Sequence, residues 1–185
     1  MSIRSATRQT GISLIELVMF IVIVGLAVTG VLSVMNITTQ NSADPMVRKQ
    51  AIATAESLLE EIELQPFTYC FPTDANAATA TSSAGCASAA NSEDTLPATA
   101  RVSSPRNANN VADYTNFSMS PIVDITGSAI GGLGAYTASV KITQTGATFS
   151  LPANDVLQID VRVVSGNTDI TVTGYRFRYA PNAVP

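Results

Sequence analysis

The stretch Gly11-Ile12-Ser13-Leu14-Ile15-Glu16, followed by apolar residues as far as Val34, decides how the rest of the chain is organised. From Ile12 to Met35 the only ionisable side chain is that of Glu16. About 20 consecutive apolar residues are enough for a helix to cross the hydrocarbon core of a membrane. The sequence therefore predicts a membrane-spanning helix over residues 12–35.

A short polar leader, Met1–Thr10, precedes this run and carries Arg4 and Arg8 but no acidic residue. Positive charge on a short flank holds that flank in the cytoplasm, so most of the chain is predicted to lie on the far side. An ordinary secretory signal has its small-residue cleavage site beyond the apolar core, whereas Gly11 stands before it. Cleavage after Gly11 would remove the leader and leave the apolar helix in the mature protein.

Glu16 is the unusual side chain of the predicted span. A carboxylate at the centre of a membrane helix costs roughly 2.5–3.5 kcal/mol on insertion scales and usually marks function. Glu16 lies within the first turns of the helix, where it can face a positive N-terminus. The alternative is a carboxylate that reaches the membrane interface and has no partner.

The basic leader, the sequence Gly-Ile-Ser-Leu-Ile-Glu and the apolar run together resemble the class III signal of type IV prepilins and type II secretion pseudopilins. This resemblance implies cleavage after Gly11 by the prepilin peptidase, N-methylation of the new terminus at Ile12, and a role for Glu16 in subunit assembly. The implied partners are other pilin subunits, the peptidase and the inner-membrane platform of the pilus machine. The implied location is the bacterial inner membrane, with a periplasmic C-terminal domain, and then a cell-surface pilus.

Three further groups of residues resemble minor pilins of the mannose-sensitive haemagglutinin (MSHA) type of type IV pilus. Such minor pilins are low-abundance components that are thought to help initiate or cap the fibre. Pilins and pseudopilins share the same signal and helix packing, so a minor pseudopilin remains the alternative. The residues are Leu58–Ile62 with Gln65–Cys70, Asn110–Tyr114 with Phe117–Met119, and Thr173–Asn182.

Length, charge and composition exclude several other functions. The 185 residues suit one domain plus an anchor. Ten basic residues stand against fourteen acidic ones, and loss of the leader leaves eight against fourteen, so no footprint for nucleic acid is present. The chain has no histidine, which excludes Ser-His-Asp and Cys-His catalysis and His-ligated zinc. We therefore predict no cofactor and no enzymatic activity, with a membrane-tethered periplasmic enzyme as a remote alternative.

Cys70 and Cys86 lie beyond the predicted span, in what the topology makes an oxidising compartment. A disulfide between them would close a loop over residues 70–86 and contribute roughly 3 kcal/mol in the chain-entropy model. Two free thiols or half of a metal site are the alternatives. Ala75–Ala90 is almost wholly Ala, Thr, Ser and Asn, so it would be poorly ordered without such a staple. Both a surface linker and a partner-facing loop remain open for it.

The helix is predicted to continue as an amphipathic half over residues 36–64, because Pro66 bars it from going further. At Asp44-Pro45 two interpretations are open: a kink, or a second helix that Asp44 caps and Pro45 begins. Apolar residues recur at helical spacing: Val47, Ala51, Ala55, Leu58, Leu59 and Ile62.

Residues 65–185 are predicted to form a globular β-sheet domain. Apolar and polar residues alternate over Tyr136–Ile142 and Leu157–Val163, and Ser165–Thr168 has the composition of a hairpin turn. The alternation changes phase at Gly174, which predicts a bulge there. The aromatic side chains of Tyr175, Phe177 and Tyr179 would then face the core. Arg176 and Arg178 would point away from it, on a solvated strand face or, as the alternative, against a neighbouring subunit.

These elements together predict the α+β class. A long N-terminal helix, hydrophobic and then amphipathic as in type IV pilins, would pack on an antiparallel β-sheet. The predicted organisation is a leader over residues 1–11, the membrane half of the helix over 12–35, its amphipathic half over 36–64 and the globular domain over 65–185.

Overall fold

The computed structural model of the protein describes residues 11–103 and 105–183, without the side chains of residues 37–44. The chain forms two compact units, residues 1–45 and residues 46–185, and each is considered by itself. The leader lies outside the described residues apart from Gly11, so its role stays a prediction. The coarse α+β class is confirmed, since one long apolar helix is followed by a four-stranded antiparallel sheet.

Helix α1 comprises Leu14–Glu63. Pro45 lies inside it, so the interpretation in which Pro45 begins a second helix is wrong. The helix ends at the predicted place: the amide of Leu64 still bonds to the carbonyl of Glu60, at 3.0 Å, and Pro66 then prevents a further turn.

The part of α1 that belongs to the second unit is amphipathic, as predicted. Its buried stripe covers one face of the sheet, and each fully buried Leu or Ile side chain contributes roughly 1.5–3 kcal/mol. Val47 and Leu59 lie half-buried at the margins of this stripe. The residues of the stripe itself are Ala51, Ala55, Leu58 and Ile62.

The sheet is an antiparallel meander in chain order. Its strands are β1 (Ser118–Met119), β2 (Thr137–Gln144), β3 (Val156–Ser165) and β4 (Thr168–Phe177). The predicted alternation in β2 and β3 is confirmed, because every second side chain is buried beneath α1. These core residues are Ala138, Val140, Ile142, Leu157, Ile159, Val161 and Val163.

The hairpin between β3 and β4 closes at the predicted turn. Ser165 pairs with Thr168, and Gly166 occupies the first turn position with φ +55°. A two-residue loop with glycine in that left-handed position matches the twist of the strands that it joins.

The predicted bulge at Gly174 is absent, and the side-chain directions that it implied are wrong. The pairing of β3 with β4 is unbroken from Ser165 and Thr168 to Val156 and Phe177. Tyr175 and Phe177 are 46% and 39% exposed on the face away from α1. Arg176 and Arg178 lie on the helix side instead.

Gly174 explains the misleading change of phase, because it is a point of close approach rather than an inserted residue. A Cβ atom at Gly174 would overlap the Glu63 carboxylate and crowd the Leu59 side chain. The inward-facing positions after Gly174 lie beyond the apolar core and contact polar groups. For this reason they are occupied by Arg176 and Arg178 rather than by aliphatic residues. The exposed rings are supported from outside by Phe149, whose ring centroid lies 5.6 Å from that of Tyr175 and 5.2 Å from that of Phe177.

Candidate functional site

The residues that the signal resemblance singled out lie at the start of α1 and just before it. Gly11 and Ile12 are exposed and precede the helix. The carbonyl of Ser13 accepts hydrogen bonds from the amides of Glu16, at 3.0 Å, and Leu17, at 3.1 Å. Glu16 is therefore a first-turn carboxylate, the position where the helix dipole favours negative charge.

An apolar surface follows directly after this turn. Leu14–Asn36 has 23 residues and a mean hydropathy of 2.8, and none of it is buried within the chain. A helix of this length and composition is able to cross a membrane, although a signal sequence shares both properties. A Cβ atom at Gly25 or Gly30 would meet nothing within 4 Å. The small residues that permit close helix packing are thus open to the surroundings.

The predicted disulfide joins Cys70 to Cys86, with their Cα atoms 5.5 Å apart. It encloses a small second core in which Ala77 and Ala80 pack against Cys70. Closing a loop of this size contributes roughly 3 kcal/mol in the chain-entropy model.

Asp74 is a second organiser of this loop, and the sequence analysis did not single it out. Its Oδ1 atom accepts from the amides of Asn76 and Ala87, both at 2.9 Å. Its Oδ2 atom accepts from the Asn91 side chain at 2.8 Å and from the Ser88 amide at 3.3 Å. The bond to Ala87, together with the others, lowers the pKa of Asp74 to about 2. The signal in the sequence was Asp74 two residues before Asn76, a spacing typical of an Asx-turn.

The segment after β4 holds the disulfide loop from the other side. The amide of Tyr69 donates to the carbonyl of Pro181 at 3.1 Å. The Asn182 side chain donates to the carbonyls of Ala77, at 3.0 Å, and Ala80, at 2.8 Å. The loop is therefore part of the folded unit and not a free linker.

Arg178 lies at the centre of this arrangement, with its side chain only 1% exposed. Its Nη1 atom contacts the carboxylates of Asp94, at 2.7 Å, and Asp155, at 3.5 Å. The guanidinium lies 4.3 Å from the ring centroid of Phe67 and 5.0 Å from that of Tyr69. Its Nε and Nη2 atoms have no hydrogen-bond partner among the described residues, and the two ring faces supply the compensating electrostatic contact.

Asp94 completes this cluster as an acceptor. Burial raises its pKa, but hydrogen bonds from Ser83 and Arg178 outweigh burial, so the pKa of Asp94 is lower than usual. The Asp94 carbonyl also accepts from the Gln144 side chain at 2.6 Å. Asp94 thereby links the loop to β2 as well as to the segment after β4.

A second buried charged cluster lies close by. Arg101 bonds to Glu93 and to Asp113, each at 2.7 Å. The Glu93 side chain is fully buried, and in the part of the chain that the structure describes its Oε1 atom has no hydrogen-bond partner. Burial raises the pKa of Glu93 to about 7, against the lowering effect of Arg101.

The raised pKa of Glu93 predicts a pH dependence of stability. Between pH 4.5 and about 7 the folded protein keeps a proton on Glu93 that the unfolded chain releases. The contribution of Glu93 to stability is therefore greatest below pH 4.5, and it falls by on the order of 3 kcal/mol between pH 4.5 and about 7. Urea unfolding at a series of pH values should show the fall in the wild type and its loss in Glu93→Gln.

Glu56→Gln, at an exposed position on α1, is the control for this pH series. It should retain the wild-type slope between pH 5 and 7. Equal slopes for wild type and Glu93→Gln would show that Glu93 is ionised in the folded protein throughout this range.

An apolar groove of about 430 Å³ lies between α1 and the segment after β1. At its base the Glu61 Oε1 atom accepts from Arg106 Nε and from the Tyr114 hydroxyl, both at 2.6 Å. Burial, with this bond to Glu61, raises the pKa of Tyr114. Arg106 also donates to the Val123 carbonyl at 3.0 Å. Glu61 is thus occupied by two donors, and it joins the helix to the surrounding loops rather than acting as a free base.

Within residues 11–103 and 105–183, no group of three His, Cys, Asp or Glu side chains is placed to hold a metal ion. Comparisons with protein-family models, with curated proteins and with solved structures found no match to this chain. The roles of Gly11, Ile12 and Glu16 thus remain predictions that rest on the sequence and on the position of these residues at the start of α1. Of the predicted site residues, the structure brings together only Cys70 and Cys86.

Proposed function

We propose that the chain is a minor type IV prepilin that the prepilin peptidase cleaves after Gly11. Its new terminus at Ile12 is then N-methylated, and the apolar half of α1 holds it in the inner membrane with the globular unit in the periplasm. Through the same half-helix it joins other pilin subunits, at the inner-membrane platform, in an MSHA-type pilus or in the complex that initiates one. The single observation that carries this proposal is the position of Gly11 immediately before a 23-residue exposed apolar helix.

Within this family, we propose that the chain is similar to MshD, a minor prepilin of the MSHA pilus. The support is the set of three sequence segments that resemble that protein, and in the fold these segments meet. Val111 N donates to the Pro66 carbonyl at 3.0 Å, and Arg176 donates to the Gln65 carbonyl at 3.3 Å. Arg178 stacks on Phe67. The resemblance therefore falls on one packed region rather than on scattered surface positions.

A minor pseudopilin of a type II secretion system would have the same signal and anchor. Shearing cells and locating the protein separates the two functions, because a pilin appears in sheared surface fibres and a pseudopilin stays with the envelope. Genes for a pilus ATPase and other minor pilins beside this one would likewise favour the pilus.

Replacing Gly11 by Val tests the processing step. Gly11 has no side chain, which permits close approach of the peptidase to the backbone. We expect Gly11→Val to leave the leader, with Arg4 and Arg8, attached to the membrane form. Mass spectrometry of the purified protein should show the mass of the uncleaved chain, whereas the wild type should begin at a methylated Ile12.

Gly25→Val is the matched control, because a side chain at Gly25 meets nothing within 4 Å and the position lies beyond the cleavage site. It should be cleaved as the wild type is. The same mature mass in Gly11→Val and in wild type would show that cleavage does not require glycine at position 11.

A further inference from the structure

Strand β4 is an edge strand of the sheet, and within the described part of the chain no further strand pairs with its outer side beyond Thr168. Thr168 closes a two-residue hairpin with Ser165, so the even-numbered residues of β4 direct their backbone groups towards β3. The bond from the Arg178 amide to the Asp155 carbonyl, at 2.9 Å, continues the same alternation. The amides of Asp169, Thr171 and Thr173 therefore point away from the sheet. In the described part of the chain no backbone carbonyl accepts from them.

This edge has few of the features that usually protect a sheet from pairing with another strand. Natural edge strands are short, bulged, interrupted by proline, or marked by lysine or an inward-pointing charge, and of these β4 has only the inward-pointing Arg176 near its end. Strand β4 is regular over its whole length and contains neither proline nor lysine. Its free edge is therefore a ready template for a further strand.

The core beside this edge is incompletely covered. Leu59 on α1 and Ile170 and Val172 on β4 are only half-buried, although all three pack against the core. Their counterparts on β3, Val161 and Val163, are fully buried. A further strand paired with β4 would place its own side chains under α1. It would bury Leu59, Ile170 and Val172 in the same way that β4 buries Val161 and Val163.

The charge beside the edge defines what can occupy it. Glu63 approaches β4 at Gly174, and Glu60 lines the same recess as Tyr175. Glu56 lies one helical turn before Glu60 on the same side of α1. A row of three acidic residues thus borders the uncovered side of β4. Arg176 lines the same recess but donates to the Gln65 carbonyl and stacks on Tyr179, so the acids outnumber the one cation there. A second copy of the chain would bring the same acids together, which disfavours self-association.

We propose that the free edge of β4 binds an extended basic segment of another protein subunit as a fifth strand. Main-chain hydrogen bonds to residues 169–175 supply the attachment, as in other cases of strand addition. Lysine or arginine at alternate positions suits the helix side, because the aliphatic stem covers Ile170 and Val172 while the charged end reaches Glu56 and Glu60. The inference does not depend on cleavage at Gly11 or on fibre formation.

A peptide tests this directly with the full-length chain in an uncharged detergent. The probe is a labelled ten-residue peptide of alternating Lys and Val with blocked ends, and the comparison peptide alternates Glu and Val. We expect the Lys peptide to bind at least about tenfold more tightly, and to slow deuterium exchange at the amides of Thr171 and Thr173.

Two substitutions at one exposed position separate strand pairing from simple charge attraction. Thr171→Pro removes an outward amide and should weaken binding of the Lys peptide by at least about tenfold. Thr171→Val keeps the amide and should bind as the wild type does. Glu60→Gln should weaken binding without any change in the backbone of β4. This variant keeps the proposal testable if Thr171→Pro does not fold.

Several results would overturn the proposal. They are equal binding of the two peptides, undiminished binding to Thr171→Pro, absence of binding to the wild type, and unchanged exchange at Thr171 and Thr173. Dimers of the wild-type chain that protect the same amides would assign the edge to a second copy instead.

Discussion

Replacing Arg178 by Met should lower the free energy of unfolding by about 3 kcal/mol. Removing one partner of a buried ion pair costs about 3–5 kcal/mol, and the lower end applies because Asp94 and Asp155 remain 27% and 29% exposed. The stacking of the guanidinium on Phe67 and Tyr69 is lost as well. Urea unfolding of the full-length chain in detergent measures the change.

Arg162→Met is the matched control, since the same substitution is made in an exposed ion pair. The Arg162 side chain is 54% exposed, and its partner Asp169 is 51% exposed. Exposed pairs contribute little to stability because water screens them, so the control should remain near the wild type. Equal losses in the two variants would show that Arg178 does not bear a buried charge contact in solution.

Replacing Glu16 by Ala should remove most of the protein from sheared fibres while leaving membrane insertion and cleavage intact. The proposed cleavage after Gly11 would create an α-amino group at Ile12, whose ordinary pKa is about 7.7–8.0. Among packed apolar helices a lone carboxylate is costly, and a nearby positive charge offsets that cost. Glu16 lies four residues beyond Ile12, so it can pair with its own terminus or with that of the next subunit.

We propose that Glu16 pairs with the terminus of the next subunit, because this pairing would recruit that subunit to the growing fibre. An incoming subunit then satisfies a charge that the last one left without a partner. The measurement compares the cleaved membrane pool with sheared fibres for wild type and Glu16→Ala.

Thr29→Ala is the control for this comparison, because it also removes a polar group from the span. Its hydroxyl donates to the carbonyl of Gly25 within the same helix, at 2.7 Å, so its loss should leave incorporation unchanged. Equal incorporation of wild type and Glu16→Ala would show that Glu16 does not drive assembly.

The sequence predicts those parts of the fold that periodicity specifies. The stripe that contains Ala51, Ala55 and Ile62 repeats at 3.6 residues over several turns, and β3 alternates over ten. Both signals average over many residues, so a single exception does not hide them. The hairpin turn at Gly166 is predictable for a different reason, because glycine readily adopts the positive φ that a two-residue turn requires.

The side-chain directions in β4 were not predictable in this way, and the reason is physical. Periodicity assumes that apolar residues face inward, but beyond Gly174 the inward side is a charged and aromatic cluster assembled from distant segments. Arg178 meets Asp94 across 84 residues of sequence. No local sequence pattern indicates such a distant partner. Periodicity alone therefore predicts that Arg178 faces solvent and that the rings of Tyr175 and Phe177 face the core. Asp74 and Glu93 were missed for the same reason, since their surroundings exist only in the folded chain.

Because Asn182 fixes the conformation of the disulfide loop, that loop can reach its final structure only after the C-terminal residues have been synthesised. Asn182 bonds to the carbonyl of Ala77 across 105 residues of sequence. During synthesis the loop therefore exists, with both its cysteines, long before the residues that fix its conformation have been added. Contacts this distant in sequence form late in folding. Oxidation of Cys70 and Cys86 during that interval would join a loop that still lacks the segment after β4. The disulfide then limits the conformations among which Asn182 and Arg178 must find their partners once they emerge.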